Sequence, residues 1–300
     1  MVEVVMTVAE KASSLIRGGY SLEQVALRLK RSPLRRAIKT FRTLGCWGEK
    51  QERRRIARAL QTPEAGQMAQ RLRQEGGAML TGLDSALTEE LILAARQHVG
   101  QGVARSGGRK DFWSSLLSKA EIDDRSPFVR FALQPRIVQA ASAYVGELPL
   151  IVSIHLLRSL PQPAPYKVSQ LWHLDYEDAR MVKLFVYLTD VSSDDDGPFN
   201  YVPPGPSRRV SFHGSAHLPD ETVFRRVDRQ EVRQVLGSRG QAFMVDTSRC
   251  IHMGSRLVPG HERLLYTVCF IAVPSLYESQ AVRASASTLR DRQTELLLTP

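Results

Sequence analysis

The chain has 300 residues, which could form one large domain or a domain with an appendage, and its 43% hydrophobic content is enough to bury a full core. The three cysteines are odd in number and lack paired spacing, which argues against a disulfide framework or a zinc ribbon and favours a reducing compartment. No apolar run reaches the ~18 residues of a membrane span, and the first residues lack the pattern of a signal peptide. We therefore expect a soluble, cytoplasmic protein without a membrane partner.

The net charge of +10 is concentrated at the start of the chain. Residues 1–65 hold fourteen Lys and Arg against six Glu, a net of +8, so the rest of the chain carries only +2. Helices are predicted here, and Ser21–Phe41 has a weak likeness to a helix-turn-helix, in which basic side chains would contact DNA phosphates. The motif is short, so we favour a basic helical arm that is solvated or docks on the body or a partner.

From about residue 67 the pattern mixes one short apolar run with helices. Ala78–Leu80 is predicted to be a strand, and the glycine-rich stretch 100–110 to be either a surface loop or a lid over a site. The predicted helices run from Ser85 or Thr88 to about His98, over Trp113–Ala120, and over Phe128–Val145 with a second part that begins at Pro135.

After Gly146 the pattern changes to short strands separated by Pro, Gly, Asp and Ser. Strands are predicted at Leu148–Leu160, Leu171–His173, Met181–Thr189, Phe199–Val202, Arg208–Phe212, Gln241–Val245, Ile251 with its neighbours, and Leu264–Val273. Many short strands with turn residues between them are typical of an all-β sandwich or barrel. Residues after 275 are polar and mixed, which predicts a terminal helix or a tail.

The segment Trp172–Tyr176 carries the strongest chemical signal in the chain. Side chains two residues apart on an extended segment lie on the same side, so His173 and Asp175 would present an imidazole and a carboxylate together. A third ligand from His252 would complete two histidines and one carboxylate, a set that suits non-haem Fe(II) because it leaves the opposite face of the metal open. The pair alone is more often the pattern of a half-buried histidine and a turn aspartate than of a metal site.

A buried arginine is predicted at the start of the last long strand. Arg263 opens the apolar run LLYTVCFIAV, and a charge placed there needs a partner. The partner is either a surface carboxylate or the far carboxylate of a bound diacid, which the planar guanidinium can hold with two hydrogen bonds. Residues 194–196 are three adjacent aspartates, which we interpret as a solvated turn because adjacent side chains do not converge on one ion.

Taken in order, these pieces resemble one family. The order is His173-x-Asp175, Leu188-Thr189-Asp190, Gly197-Pro198-Phe199-Asn200-Tyr201-Val202-Pro203, His252, and Arg263 eleven residues later, preceded by Glu75–Leu80 and Ser153–Arg158. Over about residues 67–275 the chain resembles the phytanoyl-CoA dioxygenase-like family of Fe(II)/2-oxoglutarate-dependent oxygenases.

The resemblance implies a mainly β fold with flanking helices, whose core is a double-stranded β-helix, a jelly-roll or cupin-like barrel. The expected organisation is a basic helical arm over residues 1–66, the oxygenase domain over residues 67–275, and a tail or helix over residues 276–300. Strand Met181–Thr189 should line the barrel, with Lys183, Phe185 and Tyr187 on one face and Val182, Leu184 and Val186 on the other.

The resemblance also implies the roles of individual residues. His173, Asp175 and His252 are expected to be the catalytic iron ligands, and Arg263 the partner of the distal carboxylate of 2-oxoglutarate. An aromatic residue borders the cosubstrate in relatives, so Phe185 is either that contact or a plain core residue.

The implied activity is hydroxylation, or a related oxidation, of a small organic substrate with Fe(II), 2-oxoglutarate and O₂, releasing succinate and CO₂. The carboxylate at Asp175 argues against the halogenating relatives, which keep that position small.

The chain departs from the family pattern at two places. Gly254 replaces a hydroxyl residue that often helps to hold 2-oxoglutarate, and Pro203–Ser207 differs from the usual Pro-Gly-Ser-His turn. The alternatives are a non-catalytic β-barrel that binds a ligand or metal, and, less favoured, a nucleic-acid-binding protein that uses the basic arm.

Overall fold

The elements of the fold are taken from a computed structural model, which describes residues 40–100, 113–117, 122–123, 125–162, 165–175, 177–178, 180–211, 217–254, 256–275, 282 and 291–298. The helices are α1 (Trp47–Ala59), α2 (Pro63–Glu75), α3 (Ser85–Gly100), α4 (Pro127–Ala132), α5 (Pro135–Val145), α6 (Pro204–Ser207), α7 (Asp220–Phe224) and α8 (Arg292–Leu298). The strands are β1 (Gly77–Leu80), β2 (Trp113–Ser115), β3 (Leu150–Ser159), β4 (Trp172–His173), β5 (Met181–Tyr187), β6 (Phe199–Tyr201), β7 (His217–Leu218), β8 (Arg233–Val235), β9 (Ala242–Val245), β10 (His252–Met253) and β11 (Arg263–Ile271).

The strands form two antiparallel sheets that pack face to face. The larger sheet has the order β1-β9-β5-β11-β3-β2 and the smaller one the order β7-β4-β10-β6-β8. Side chains from both sheets share one buried cluster, in which Phe185 and Phe243 of the larger sheet meet Phe199 and Tyr201 of the smaller one. Sequence neighbours are rarely paired in this order, which is the crossing pattern of a jelly roll. The predicted mainly β architecture, a double-stranded β-helix with flanking helices, is confirmed.

One face of the larger sheet packs against the helices and the other faces the smaller sheet, as the period-two alternation along β5 predicts. Val182, Leu184 and Val186 pack against the helices in the main apolar core, whereas Phe185 and Tyr187 point between the sheets. The helical layer therefore covers one face of the sheet and leaves the opposite face to line the barrel interior.

Local signals explain where α2 begins and ends. The hydroxyl of Thr62 accepts a hydrogen bond from the backbone N–H of Ala65, and Pro63 occupies the first turn, where its missing N–H costs no hydrogen bond. Gly76 ends the helix in the left-handed region with φ 81°, a conformation that favours glycine. The predicted boundary between residues 66 and 67 falls inside this helix.

Two sequence predictions are wrong. Trp113–Ser115 is an edge strand paired with β3, not the start of a helix, because pairing with a distant strand outweighs local preference. The predicted strand Arg208–Phe212 is absent over its described part, residues 208–211, where a turn follows α6. The prolines before it favour the first turn of a helix and cannot donate hydrogen bonds to a sheet, which explains why this stretch is helical.

Several predictions concern residues outside the described part of the chain. These are the helix-turn-helix-like segment up to residue 39, the glycine-rich stretch after Gly100, and residues 118–120 of the helix predicted over Trp113–Ala120. The described helices include none that is long and apolar enough to cross a membrane.

Candidate metal centre

Two histidines and one aspartate converge between the two sheets. Among the described residues, only His173, Asp175 and His252 form a cluster with potential ligand atoms within 4.8 Å of one another. The Nε2 atom of His173 lies 3.9 Å from Oδ1 of Asp175, and the Nε2 atom of His252 lies 3.6 Å from Oδ2. The structure thus brings together the three residues that the sequence suggested as metal ligands.

Sheet pairing places these side chains next to one another. His173 of β4 stands directly opposite His252 of β10 in an antiparallel register, and their rings are 4.2 Å apart between centroids. The backbone N–H of Asp175 donates to the carbonyl of Thr247, which ties the segment after β4 to the segment before β10. Distant parts of the chain therefore meet at one point through ordinary ladder geometry.

Each imidazole is oriented by a backbone carbonyl two residues before it. Nδ1 of His173 lies 2.9 Å from the carbonyl oxygen of Leu171, and Nδ1 of His252 lies 3.0 Å from that of Cys250. A carbonyl only accepts, so each Nδ1 carries the proton and each Nε2 presents its lone pair toward Asp175. This backbone support fixes the ring orientation and the tautomer that a metal ligand requires.

The charge states of the three groups also suit metal binding. Burial, assisted by the neighbouring His252, lowers the pKa of His173 to about 3, and burial lowers the pKa of His252 as well. Burial is the largest single influence on Asp175 and opposes its ionisation, but the charge and hydrogen bond of Lys183 together with the two neighbouring imidazoles outweigh burial, so the pKa of this carboxyl lies well below its usual value. Two neutral imidazoles and one carboxylate are the donor set of a non-haem Fe(II) site.

Arg263 lies at the head of β11 and is only 3% exposed. Its Nη1 donates to the carbonyl of Gly197, and a Cβ added to Gly254 would stand 3.4 Å from the same nitrogen. Burial lowers the pKa of Arg263, although a guanidinium keeps its charge in proteins. The predicted anion partner would therefore meet a desolvated arginine beside the end of the strand that carries His252.

Phe185 belongs to an aromatic cluster that reaches the metal centre. Its ring lies 4.6 Å from that of Phe199 and 5.2 Å from that of Phe243, between centroids. Phe199 in turn stacks on the imidazole of His252 at 5.4 Å with an interplanar angle of 21°. Phe199 thus separates Phe185 from the candidate ligand His252. This position suits core packing, and the contact of Phe185 with a cosubstrate stays a prediction.

The sequence reasoning missed the charged neighbours of Asp175. Lys183 donates to Oδ2 of Asp175 at 2.7 Å and to Oε1 of Glu177 at 2.8 Å. Burial favours the neutral amine, but the two carboxylates outweigh it and raise the pKa of Lys183 well above its usual value. The signal was present, because Glu177 continues the alternation of His173 and Asp175, and Lys183 lies on the barrel-lining face of β5.

A second missed residue is Thr267, on the same strand and face as Arg263. Its hydroxyl is buried without a hydrogen-bond partner among the described residues, and it stands between Phe185 and His155 in the sheet register. Buried hydroxyls nearly always have a partner, so an orphan in a barrel interior is a position where a ligand can bind.

A third missed feature supports β4 from outside the barrel. The indole N–H of Trp172 donates to Asp220, whose two carboxylate oxygens also accept two hydrogen bonds from Arg256, each at 2.8 Å. Arg256 further donates to the carbonyl of Gln170. This network holds the strand that carries His173.

The fold is shared with solved structures of non-haem enzymes, although no family model matches the chain and no curated protein matches it in sequence. EctD from S. alaskensis, in its apoform, is 18% identical with a TM-score of 0.53, over 71% of this chain and 79% of that one. The non-heme alpha ketoglutarate dependent epimerase SnoN from nogalamycin biosynthesis is 21% identical with a TM-score of 0.51, over 71% and 84%. The non-heme monooxygenase ThoJ is 21% identical with a TM-score of 0.51, over 77% and 86%. At these identities the likeness shows the fold, a double-stranded β-helix with helices packed against one sheet.

Proposed function

We propose that the protein is an Fe(II)/2-oxoglutarate-dependent dioxygenase of the phytanoyl-CoA dioxygenase-like family, which hydroxylates or otherwise oxidises a small organic substrate. The observation that carries the proposal is the convergence of His173, Asp175 and His252 in the barrel interior, with both Nε2 lone pairs and an ionised carboxylate directed at one point. The fold shared with non-haem enzymes supports it.

In this proposal the three side chains would hold Fe(II) from one side. The iron and 2-oxoglutarate supply the oxidising chemistry with O₂, and succinate and CO₂ are released. The protein would contribute position and a dry interior, since the imidazoles are oriented by backbone carbonyls and the aromatic cluster around Phe199 lies against His252.

Arg263 would hold the distal carboxylate of 2-oxoglutarate. A buried guanidinium binds a carboxylate strongly because few waters compete for it and its planar fork matches the two oxygens. The Thr267 hydroxyl, on the same face of β11, offers a further donor in the barrel interior. Gly254 stands where relatives often have a hydroxyl residue, and a Cβ added there would already contact Nη1 of Arg263 at 3.4 Å.

The test is an anaerobic titration of metal-free protein with Fe(II) and 2-oxoglutarate. The expected result is the weak visible charge-transfer band that 2-oxoglutarate gives when it chelates iron held by a protein, together with its loss in His173→Ala. His261→Ala is the matched control, because this histidine is a half-buried partner of Asp196 outside the barrel interior. No band in well-folded protein would reject the proposal, and a band would lead to a substrate search by succinate release.

A further inference from the structure

Two carboxylates, one in the candidate metal centre and one beside it, share one lysine. Asp175 and Glu177 follow each other with one residue between them, and each has an oxygen within 2.8 Å of Nζ of Lys183. The side chain of Lys183 is only 15% exposed, so this pairing takes place largely away from solvent. His173, Asp175 and Glu177 thus supply three potential ligands in alternation, of which the structure aligns only the first two with His252.

The lysine is presented by a rigid element and the carboxylates by a segment outside the strands. Lys183 lies on β5, which has β9 and β11 as its neighbours in the sheet, and it is paired with Val245 and Cys269. Glu177 lies in the connection between β4 and β5. A fixed ammonium can therefore hold the Glu177 carboxylate at one place.

Without the ammonium, electrostatics would favour a movement of the Glu177 carboxylate to the metal. Two carboxylates close together repel each other, and a partly buried carboxylate without its cation carries a large desolvation penalty. A divalent cation bound to His173, Asp175 and His252 would be a neighbouring cation, because Glu177 shares Lys183 with the candidate ligand Asp175, and carboxylate oxygens are good ligands for such an ion. Glu177 would then occupy a position that a ligand set of three protein groups leaves open.

We propose that Lys183 determines which carboxylate binds the metal: it holds Glu177 away from the ion and so keeps open the coordination positions that the cosubstrate needs. This inference rests on the proposed function in assuming a metal at the three-residue centre. Lys183 acts here as a positioning residue, since it works through Glu177 and not by contact with the reacting atoms.

The experiment compares the wild type with Lys183→Met and with Lys183→Met/Glu177→Gln. Co(II) is the first probe, because the intensity of its visible absorption reports the number of ligands and needs neither cosubstrate nor turnover. We expect Lys183→Met to bind Co(II) about tenfold more tightly or better, with an altered spectrum, and the double variant to return to within about threefold of the wild type.

The second probe is the charge-transfer band with Fe(II) and 2-oxoglutarate. Lys183→Met should lose the band at cosubstrate concentrations that saturate the wild type, and the added Glu177→Gln should restore it. A normal band in Lys183→Met would overturn the inference, as would a double variant that fails to recover it, since Lys183 would then act only on Asp175 or on folding.

Two further measurements distinguish the proposed role of Lys183 from a loss of folding and from a failure of the proposed function. Circular dichroism and thermal melting establish that each variant is folded, and Lys183→Gln, which keeps a polar side chain without the charge, replaces Lys183→Met if the latter does not fold. If the wild type gives no band with iron and 2-oxoglutarate, the proposed function fails, while the Co(II) spectra still decide whether Lys183 keeps Glu177 from the metal.

Discussion

The ammonium of Lys50 and the carboxylate of Glu147 meet in the interior of the protein, with Nζ 2.8 Å from Oε2, although 97 residues separate them along the chain. Glu147 also accepts a hydrogen bond from the backbone N–H of Val273, to whose carbonyl Lys50 donates. The pair therefore ties α1, which lies in the basic N-terminal part of the sequence, to the connection before β3 and to the end of β11. This part of the predicted arm is attached to the barrel.

Replacing Lys50 by Met should destabilise the fold strongly. The substitution leaves Glu147 charged and buried without its main cation, which typically costs about 3–5 kcal/mol. The measurement is the free energy of unfolding in denaturant. Arg55→Met is the control, because this arginine is exposed on the same helix and its loss should change stability by about 0.5 kcal/mol or less. Equal stability of the two variants would mean that the pair does not attach α1.

Replacing Arg263 by Met should weaken the binding of 2-oxoglutarate and leave the affinity for Fe(II) nearly unchanged. A charge-assisted hydrogen-bond pair is worth about 1.5–3 kcal/mol, so the dissociation constant of the cosubstrate should rise about 10–100-fold. Titration of the charge-transfer band measures it. The control is Arg158→Met, which removes an arginine that pairs with Glu262 beside the same strand. Unchanged cosubstrate affinity in the Arg263 variant would refute its assigned role.

The stability contributed by Asp220 should depend on pH in the acid range. Its hydrogen bonds from Arg256 lower the pKa of the carboxyl below its ordinary value of 3.8. A carboxyl with a lowered folded-state pKa stabilises the fold fully above its unfolded pKa, and this stabilisation is lost as the pH falls through the folded pKa. Asp220→Asn should therefore be less stable than the wild type at neutral pH, and the difference should narrow below pH 3.8.

The size of this effect is limited by solvent, because the side chain of Asp220 is 34% exposed. We expect about 1 kcal/mol or less at neutral pH, measured by denaturant unfolding across the acid range. Asp195→Asn is the control, since Asp195 lies exposed in the solvated turn. A stability difference that stays constant down to the lowest pH would contradict the assignment to the Asp220 charge.

Strand alternation and the order of the motifs along the chain predicted the structure well. Alternation along β5 separated the helix-facing side chains from the barrel-lining Phe185 and Tyr187, as observed. The order of His173-x-Asp175 and His252 predicted that the three would meet, and they do. The first prediction rests on the local alternation of side chains along a strand, and the second on the order of the motifs along the whole fold. Neither required knowledge of an individual contact.

Features that depend on one tertiary contact could not be predicted in this way. The two strands β7 and β8 have two and three residues, too few to show an alternation, and they exist because β4 and β6 offer them a partner. Alternation puts Asp175 and Glu177 on one side of their segment and Lys183 on the barrel-lining face of β5, but the pairing also needs the connection after β4 to fold back onto β5, which alternation does not predict. The attachment of Lys50 to Glu147 is likewise a long-range contact within a segment that composition marks only as basic.

Gly76 should be the glycine least tolerant of substitution near the metal centre. It has φ 81°, and a Cβ added there would lie 2.1 Å from Sγ of Cys250 and 2.9 Å from Cδ of Pro204. The carbonyl of Cys250 orients the imidazole of His252, so any movement of Cys250 reaches a candidate ligand. Gly76→Ala should therefore cost roughly 2–5 kcal/mol from backbone strain and overpacking together, and should also weaken Co(II) binding.

The matched control for this prediction is Gly66→Ala in the helix that Gly76 ends. A Cβ on Gly66 meets nothing within 4 Å, and its position is helical, so this change should stabilise the fold by about 0.4–1 kcal/mol. Adding Cys250→Ala to Gly76→Ala removes the closest contact but not the backbone strain, and should recover part of the lost stability and of the Co(II) affinity. If Gly76→Ala proves as harmless as Gly66→Ala, the backbone at the end of α2 does not constrain the segment that carries His252.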